Sequence, residues 1–290
     1  MISASSKAAQ GPQSGSYVTT DTYANISLLT SYPVGTRARV SDVGLYGSDF
    51  VYTGSRWVPI NGQCVLAQLA LPVVKAPTFT GTTNGAITLG TATPQIYSKC
   101  YMYFPANSLL AAQAAGFYYV EMSSTTAGVV YNNTYTPAGG TYPTEPTSKT
   151  AFSGAVPGGT GLTTEVTAFI VTVPAGLLGL FGVLKSQVMI DVNATAGSKI
   201  IYQRLAGGSN TGDTLTTASL MGEAYVRNSG RASEQRYNTT FSAEVFSGGV
   251  GRATINTAAA FDISVTLRTS SAATDIAALL SYSIVAEIMQ

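Results

Sequence analysis

The amino-acid sequence predicts a mainly β protein that ends in an antiparallel, jelly-roll-like sandwich. Three observations predict it. Phe261-Asp262-Ile263-Ser264-Val265-Thr266-Leu267-Arg268 is apolar at odd positions and polar at even ones, the period of a half-buried strand. Turns built on Gly, Asn and Pro recur along the whole chain and leave room only for short elements. Charged residues make up only 10% of the chain, against roughly 25% in ordinary soluble proteins. Gly, Ala, Ser and Thr are abundant and Tyr reaches 17, a turn-rich and strand-rich profile.

Taken in order, residues 1–30 lack sustained periodicity and read as an extended arm that orders against a partner. Residues 31–67 read as a small β-meander. Its runs are Arg37–Val40, Phe50–Tyr52, Arg56–Ile60 and Gln63–Ala67, and the Asn61-Gly62 pair suits a tight hairpin. Residues 68–98 carry Pro72, Pro77 and Pro94 among Gly and Thr, the texture of a linker or stalk with one strand at Ala86–Leu89. In residues 99–165 the strand Cys100–Phe104 precedes the best helix candidate, Pro105–Ala115, with Asn107 or Ser108 as cap and Gly116 as stop. A hairpin of Phe117–Glu121 and Gly128–Asn132 follows, then long loops held irregular by glycines and prolines.

Residues 166–290 form the sandwich. Val188–Val192, Ile200–Leu205, Leu220–Arg227, Phe241–Phe246, Phe261–Arg268 and Tyr282–Ile288 all read as strands. With the turns between them they imply about seven or eight strands. The uncharged stretch between Glu165 and Lys185 approaches the length of a membrane span, but Pro174, Gly176, Gly179 and Gly182 interrupt it. A strand and a turn are expected there, with no membrane insertion.

Composition also bounds the chemistry. The chain has no histidine, which removes the usual general base, the Ser-His-Asp and Cys-His arrangements and the commonest zinc ligand. A net charge of +1 creates no field to gather nucleic acid or anionic lipid. Carboxylate pairs such as Asp42 with Asp49, Asp213 with Glu223 or Glu234 with Glu244 sit in turns and on polar strand faces, where solvated charge is the ordinary explanation. Gly158-Gly159-Thr160-Gly161 lacks the lysine of a phosphate loop, and no run of alternating oxygen ligands suits calcium. The expectation is no enzyme, no cofactor and no metal. Cys64 and Cys100 have no third or fourth thiol near them and read as free, partly buried thiols. Met1–Ser16 lacks an apolar stretch, so the chain is expected to be made and folded in a cytoplasm. So few charges leave little colloidal repulsion, which points to a homo-oligomer.

Two groups of residues stand out as contact candidates. Tyr101, Tyr103, Tyr118, Tyr119 and Tyr131, with Tyr135, gather aromatic rings with hydroxyl tips, suited to a carbohydrate or protein face, with core packing the more ordinary reading. Arg227, Arg231, Glu234 and Arg236 lie in or beside the most polar loop of the chain, where the arginines can grip an acidic sugar or a neighbouring carboxylate, against the plainer reading of a solvated turn.

Three stretches carry a resemblance. Pro33–Gly44 with Phe50–Gly62 resembles a small β module that recurs in phage tail, fibre and head-fibre proteins. Phe117–Val120 with Ser123–Tyr135 resembles the segment before their terminal knob, and Val173-Pro174-Ala175-Gly176-Leu177-Leu178-Gly179 with Ile284–Ile288 is similar to the opening and end of that knob. The resemblance implies a virion component, assembled in the host cytoplasm and usually homotrimeric. Its N-terminal arm would anchor on other virion proteins, and its β-sandwich would face a host surface glycan or protein. A capsid decoration or baseplate protein that touches only virion proteins is the second reading. A polysaccharide-cleaving spike is the third, and the chain lacks the repeat of a long parallel β-helix. After Gly179 the knob pattern continues with Asn-Gly, whereas this chain has Leu180-Phe181-Gly182, an apolar edge suited to a subunit contact.

Overall fold

The computed structural model describes residues 17–44, 46–75, 77–206, 209–215, 220–242 and 249–288. The first sheet is built on short apolar runs separated by turns. Strand β1 (Tyr17–Asp21) lies parallel to β2 (Arg37–Val40), which pairs antiparallel with β3 (Ser48–Tyr52), and β3 pairs with β4 (Trp57–Pro59). A one-turn helix, α1 (Tyr23–Ser27), starts at Thr22, whose hydroxyl accepts from the Asn25 N–H. Tyr23 and Ile26, three apart on one helix face, are buried in the core that includes Ala38, Val40 and Phe50. The Trp57 ring lies 5.4 Å from Tyr52, and its indole N–H donates to the Leu29 carbonyl at 2.7 Å. Residues 17–30 therefore pack on their own chain instead of extending as an arm. The rest of the expected arm, residues 1–16, lies outside the described residues.

Asn61-Gly62 does make a turn, with Gly62 at a φ of +70° and its N–H donating to Pro59 at 2.9 Å. The expected hairpin does not follow. Strand β5 (Gln63–Gln68) leaves the first sheet and pairs with the last strand of the chain, because Cys64, Leu66 and Ala67 find a larger core there. The expected linker also differs: ahead of the strand expected at Ala86–Leu89, which forms as β8, it carries β6 (Val73–Lys75) and β7 (Phe79–Gly81). Pro72 and Pro77 flank β6 instead of interrupting it, and all three of its residues are buried.

Next come β9 (Cys100–Phe104), β10 (Gly116–Met122) and β11 (Ala127–Tyr135), an antiparallel set close to the expected limits. The helix expected over Pro105–Ala115 is absent. Asn107 and Ala112 adopt φ values of +61° and +63°, and the Gln113 side-chain carbonyl accepts from the Ser108 and Leu109 amides at 3.1 and 3.2 Å. One glutamine thus replaces the helical ladder and lets Leu109 reach full burial.

The sandwich contains β12 (Val166–Val173), β13 (Val183–Val192), β14 (Lys199–Leu205), β15 (Ser209–Leu215), β16 (Leu220–Arg231), β17 (Glu234–Ser242), β18 (Gly249–Ala253), β19 (Phe261–Thr269) and β20 (Ala277–Glu287). One layer has the order β12-β19-β14-β15. The other is the end of a twelve-stranded sheet that runs β18-β17-β16-β13-β20-β6-β9-β10-β11-β8-β7, with β5 also on β20. Of the strand expected over Phe241–Phe246, residues 241–242 close β17 and residues 243–246 lie outside the described residues.

Alternation sets the facing surfaces. Phe261, Ile263, Val265 and Leu267 are buried from one layer, and Tyr282, Ile284 and Ala286 from the other. Phe169 and Tyr282 meet across the layers with ring centres 5.7 Å apart. Gln203 of β14 donates to the Tyr282 hydroxyl at 2.7 Å and to Ser186 of β13 at 2.6 Å, so the buried polar atoms at this crossing are paired. The stretch between Glu165 and Lys185 forms β12, a turn and the start of β13. Among the described residues no helix is long and apolar enough to cross a membrane. The molecule is thus a mainly β protein with a jelly-roll-like antiparallel sandwich, and its last strand ties the sandwich to the preceding modules.

Candidate binding surface

The outer face of the long sheet, away from the sandwich core, is set by strand alternation. On β16, Gly222, Ala224 and Val226 point inward, so Glu223, Tyr225 and Arg227 point out. The register then decides which charges meet. Arg227 lies directly opposite Arg236 on β17, and Arg236 lies directly opposite Arg252 on β18. Directly opposed residues share a face, and adjacent strands are about 4.8 Å apart, so three exposed guanidinium groups form a row about 10 Å long.

Of the four residues singled out in sequence, Arg227 and Arg236 come together in this row. Arg231 and Glu234 instead oppose each other across the β16–β17 turn, beyond a bulge. Arg252 escaped sequence reasoning because it stands alone among Gly249, Val250, Gly251 and Ala253, with no charge pattern around it. Only strand pairing reveals it.

A buried polar knot holds the row in place. Asn228 donates through its side chain to the Gly179 carbonyl at 2.5 Å and to Thr257 at 2.8 Å. The fully buried Gln235 donates to Asn228, Ala232 and Ile255 at 3.1, 2.9 and 2.9 Å, and its carbonyl accepts from the Ile255 amide at 2.8 Å. A satisfied network of this kind locks the β16–β17 hairpin to the chain that follows β18.

Beside the row on the same face, Lys185 of β13 stands over the Tyr225 ring, 5.8 Å from its centre, and pairs with Glu287. That carboxylate holds the Lys185 ammonium above its usual pKa. Glu223 accepts from Gln187 at 2.7 Å and from the Tyr225 hydroxyl at 2.9 Å, and these bonds hold it below the usual glutamate range. Lys185, Gln187, Glu223, Tyr225 and Glu287, with Gln63, line a shallow depression of about 210 Å³. At the nearby sheet end, Leu180 and Phe181 are 52% and 51% exposed, as their apolar sequence implied. Gly230 faces the Phe181 ring at a φ of +83°, a backbone conformation that a side chain would strain.

The tyrosine group is largely internal. Tyr101, Tyr118 and Tyr119 are buried, while Tyr103 and Tyr131 are half-buried. Register explains it, since Tyr101 opposes Tyr119 with ring centres 5.6 Å apart, and Tyr118 turns to the other face against Phe104 and Phe152. These rings pack the chain itself and do not present one open aromatic face. At their margin Glu121 accepts from Lys149, Tyr119 and Tyr131 at 2.6, 3.1 and 3.0 Å, and the Lys149 bond leads in keeping its carboxyl ionised below the usual range.

The carboxylates weighed for catalysis are otherwise engaged or outside view. Asp49 pairs with Arg39 at 2.7 Å and Asp42 accepts from the Tyr23 amide at 2.6 Å, while the side chains of Asp213 and Glu244 lie outside the described residues. Cys64 and Cys100 are free and buried, and burial pushes both thiols up to about 12, away from thiolate chemistry. Among the described residues no group of three or more His, Cys, Asp or Glu is placed to hold a metal ion.

Neither a protein-family model nor a curated protein matches the chain. Solved structures to which the chain is similar include lectin II from Ulex europaeus, at 7% identity and a TM-score of 0.26, over 45% of this chain and 88% of that one. Peanut lectin with a nonapeptide matches at 7% identity and a TM-score of 0.29, over 43% and 81% of the two chains. Basic winged bean lectin with Tn-antigen matches at 9% and 0.25, over 47% and 84%. Scores this low carry no argument about this chain.

Proposed function

We propose that this chain is a non-enzymatic structural component of a phage virion, a homotrimeric fibre or tail-associated attachment protein whose sandwich faces outward. The observation that carries this reading is the order of the three resembling stretches along the chain. Residues 33–62 supply β2, β3 and β4, residues 117–135 supply the β10–β11 hairpin, residues 173–179 end β12 and turn toward β13, and residues 284–288 close the last strand of the sandwich. The chemistry agrees with the reading: the chain has no histidine and its thiols are buried. The N-terminal residues ahead of β1 are assigned to other virion proteins, and a host surface glycan or protein to the sandwich.

Antibodies raised separately against the sandwich and against residues 33–62 test this on purified particles. Gold label from the first antibody at the tips of projections, with the second nearer the particle, supports the reading. Particles free of both labels overturn it. A second reading, a decoration or baseplate part that touches only virion proteins, is favoured by the exposed Leu180 and Phe181 at the sandwich end. It predicts label that appears only after the particle is disrupted.

A further inference from the structure

We infer that the depression where β5, β20, β13 and β16 meet is a binding site for a neutral, hydroxyl-rich sugar, its ring over Val285 and Tyr225 and its hydroxyls on Gln63, Gln187, Glu223 and Glu287. The inference rests on the reading of the sandwich as an outward head and names the ligand class that head takes.

Strand register arranges the site in stripes. Val65, which is 45% exposed, lies directly opposite Val285, Val285 opposite Lys185, and Lys185 opposite Tyr225. Directly opposed residues share a face, so these four form one row about 14 Å long on the outer side of the sheet. With the Lys185 stem counted, the row is mostly apolar. Polar rows flank it. Gln63 and Glu287 oppose each other on one side, and Gln68, Ser283, Gln187 and Glu223 follow one another on the other. A sugar ring has the same division, with C–H groups on its faces and hydroxyls around its rim. The volume of about 210 Å³ suits one such ring and falls below the roughly 300–1,000 Å³ of sites for drug-sized ligands.

Hydrogen bonding selects a neutral ligand. Gln187 and the Tyr225 hydroxyl fix Glu223, and Gln63 and Lys185 fix Glu287, so the walls are ordered before any ligand arrives. Gln63 Oε1, Gln187 Oε1, Glu287 Oε2 and Ser283 Oγ carry no hydrogen bond among the described residues, and each Glu223 oxygen accepts from only one donor. Open acceptors therefore outnumber open donors, and the ligand must donate. Sugar hydroxyls donate, and they can also accept the remaining Lys185 protons. A carboxylate or phosphate group only accepts, and it meets Glu223 and Glu287. A cation meets Lys185 in the middle row. Strand β5 completes the site, since Gln63 and Val65 lie here only because that strand leaves the first sheet and pairs with β20.

The test uses the purified full chain on an array of neutral oligosaccharides, with uronic-acid and amino-sugar oligomers as further probes. Binding of at least one neutral glycan, weakening by about ten-fold or more in E223Q and in Y225A, and unchanged binding in R268Q on the opposite layer support the inference. In the parent chain the methyl resonances of Val65 and Val285 are expected to shift when that glycan is added, a readout that needs no variant. No binding to any neutral glycan, tighter binding of the acidic or amino sugars, unchanged affinity in an E223Q/Y225A chain that melts like the parent, or methyl shifts confined to other residues overturns it. Particles free of both antibody labels remove the virion reading itself, whereas a labelled particle whose chain ignores neutral glycans removes only the site.

Discussion

Lys75 closes β6, between β20 and β9, and is 1% exposed. Its ammonium donates to Thr269 Oγ1 at 3.1 Å, while the nearby Asp275 makes its ion pair with Lys199 at 3.9 Å. Burial pulls the Lys75 pKa from 10.5 down to about 8, with Asp275 opposing the shift. Below pH 8 the folded and unfolded chains both carry the ammonium, and the folded state bears the whole desolvation cost. Between about 8 and 10.5 the folded chain gives up its proton first, so stability rises with pH. A shift of that size corresponds to about 3 kcal/mol. Lys75→Met keeps the length and removes the charge, and Thr269 keeps a bond to the Leu162 carbonyl at 3.2 Å. The variant is therefore expected to be more stable than the parent by about 1–3 kcal/mol at pH 7, with the gap closing between pH 8 and 10.5. Urea denaturation of both chains at matched concentration across that range measures it. The comparison cancels the buried thiols and phenols that titrate nearby. A variant less stable than the parent at pH 7, or a gap that does not change with pH, refutes the reasoning and makes the ammonium a net stabiliser.

The partner carboxylate behaves oppositely. Asp275 is 1% exposed and accepts from Thr195 and the Ser271 amide, both at 2.7 Å, so Asp275→Asn leaves the fully buried Lys199 and Lys75 without their counter-charge and is expected to cost about 3–5 kcal/mol in the same denaturation assay. Gln113→Ala strands two buried amides and is expected to lower stability by about 2–3 kcal/mol, whereas a helix over Pro105–Ala115 would gain from the alanine. Cys64 and Cys100 are expected to resist iodoacetamide at pH 8 in the folded chain and to react fully in denaturant; fast labelling of the native chain contradicts their burial. Because β20 pairs with β13, β5 and β6, calorimetry is expected to show one cooperative transition for the described modules, and separate transitions for the first sheet and the sandwich would contradict the shared core.

Where a strand has one wet face, its pattern was legible in the sequence. Phe261–Arg268, Leu220–Arg227 and Tyr282–Ile288 alternate, and the alternation becomes inward and outward faces. Where burial is two-sided or a side chain stands in for the backbone, the pattern fails. Val73-Val74-Lys75 is too short and too uniformly buried to show a period, so its flanking prolines dominate the reading. Pro105–Ala115 has helical composition, yet Gln113 and two residues at positive φ outweigh propensity. Asn61-Gly62 marks its turn without revealing which sheet receives the next strand, since that depends on contacts more than 200 positions away, between Gln63 and Glu287. The binding face divides in the same way. Arg227 and Arg236 are conspicuous in a polar segment, while Arg252 joins them only through the β17–β18 register.

The most direct measurement is an electron cryo-microscopy reconstruction of the intact particle with this chain fitted to its density. Three copies around a common axis, with the β13-β16-β17-β18 face open to solvent and the N-terminal residues against the particle, is the expected result. Particles in which the chain is missing, or in which that face is covered by other proteins, contradict an outward attachment head.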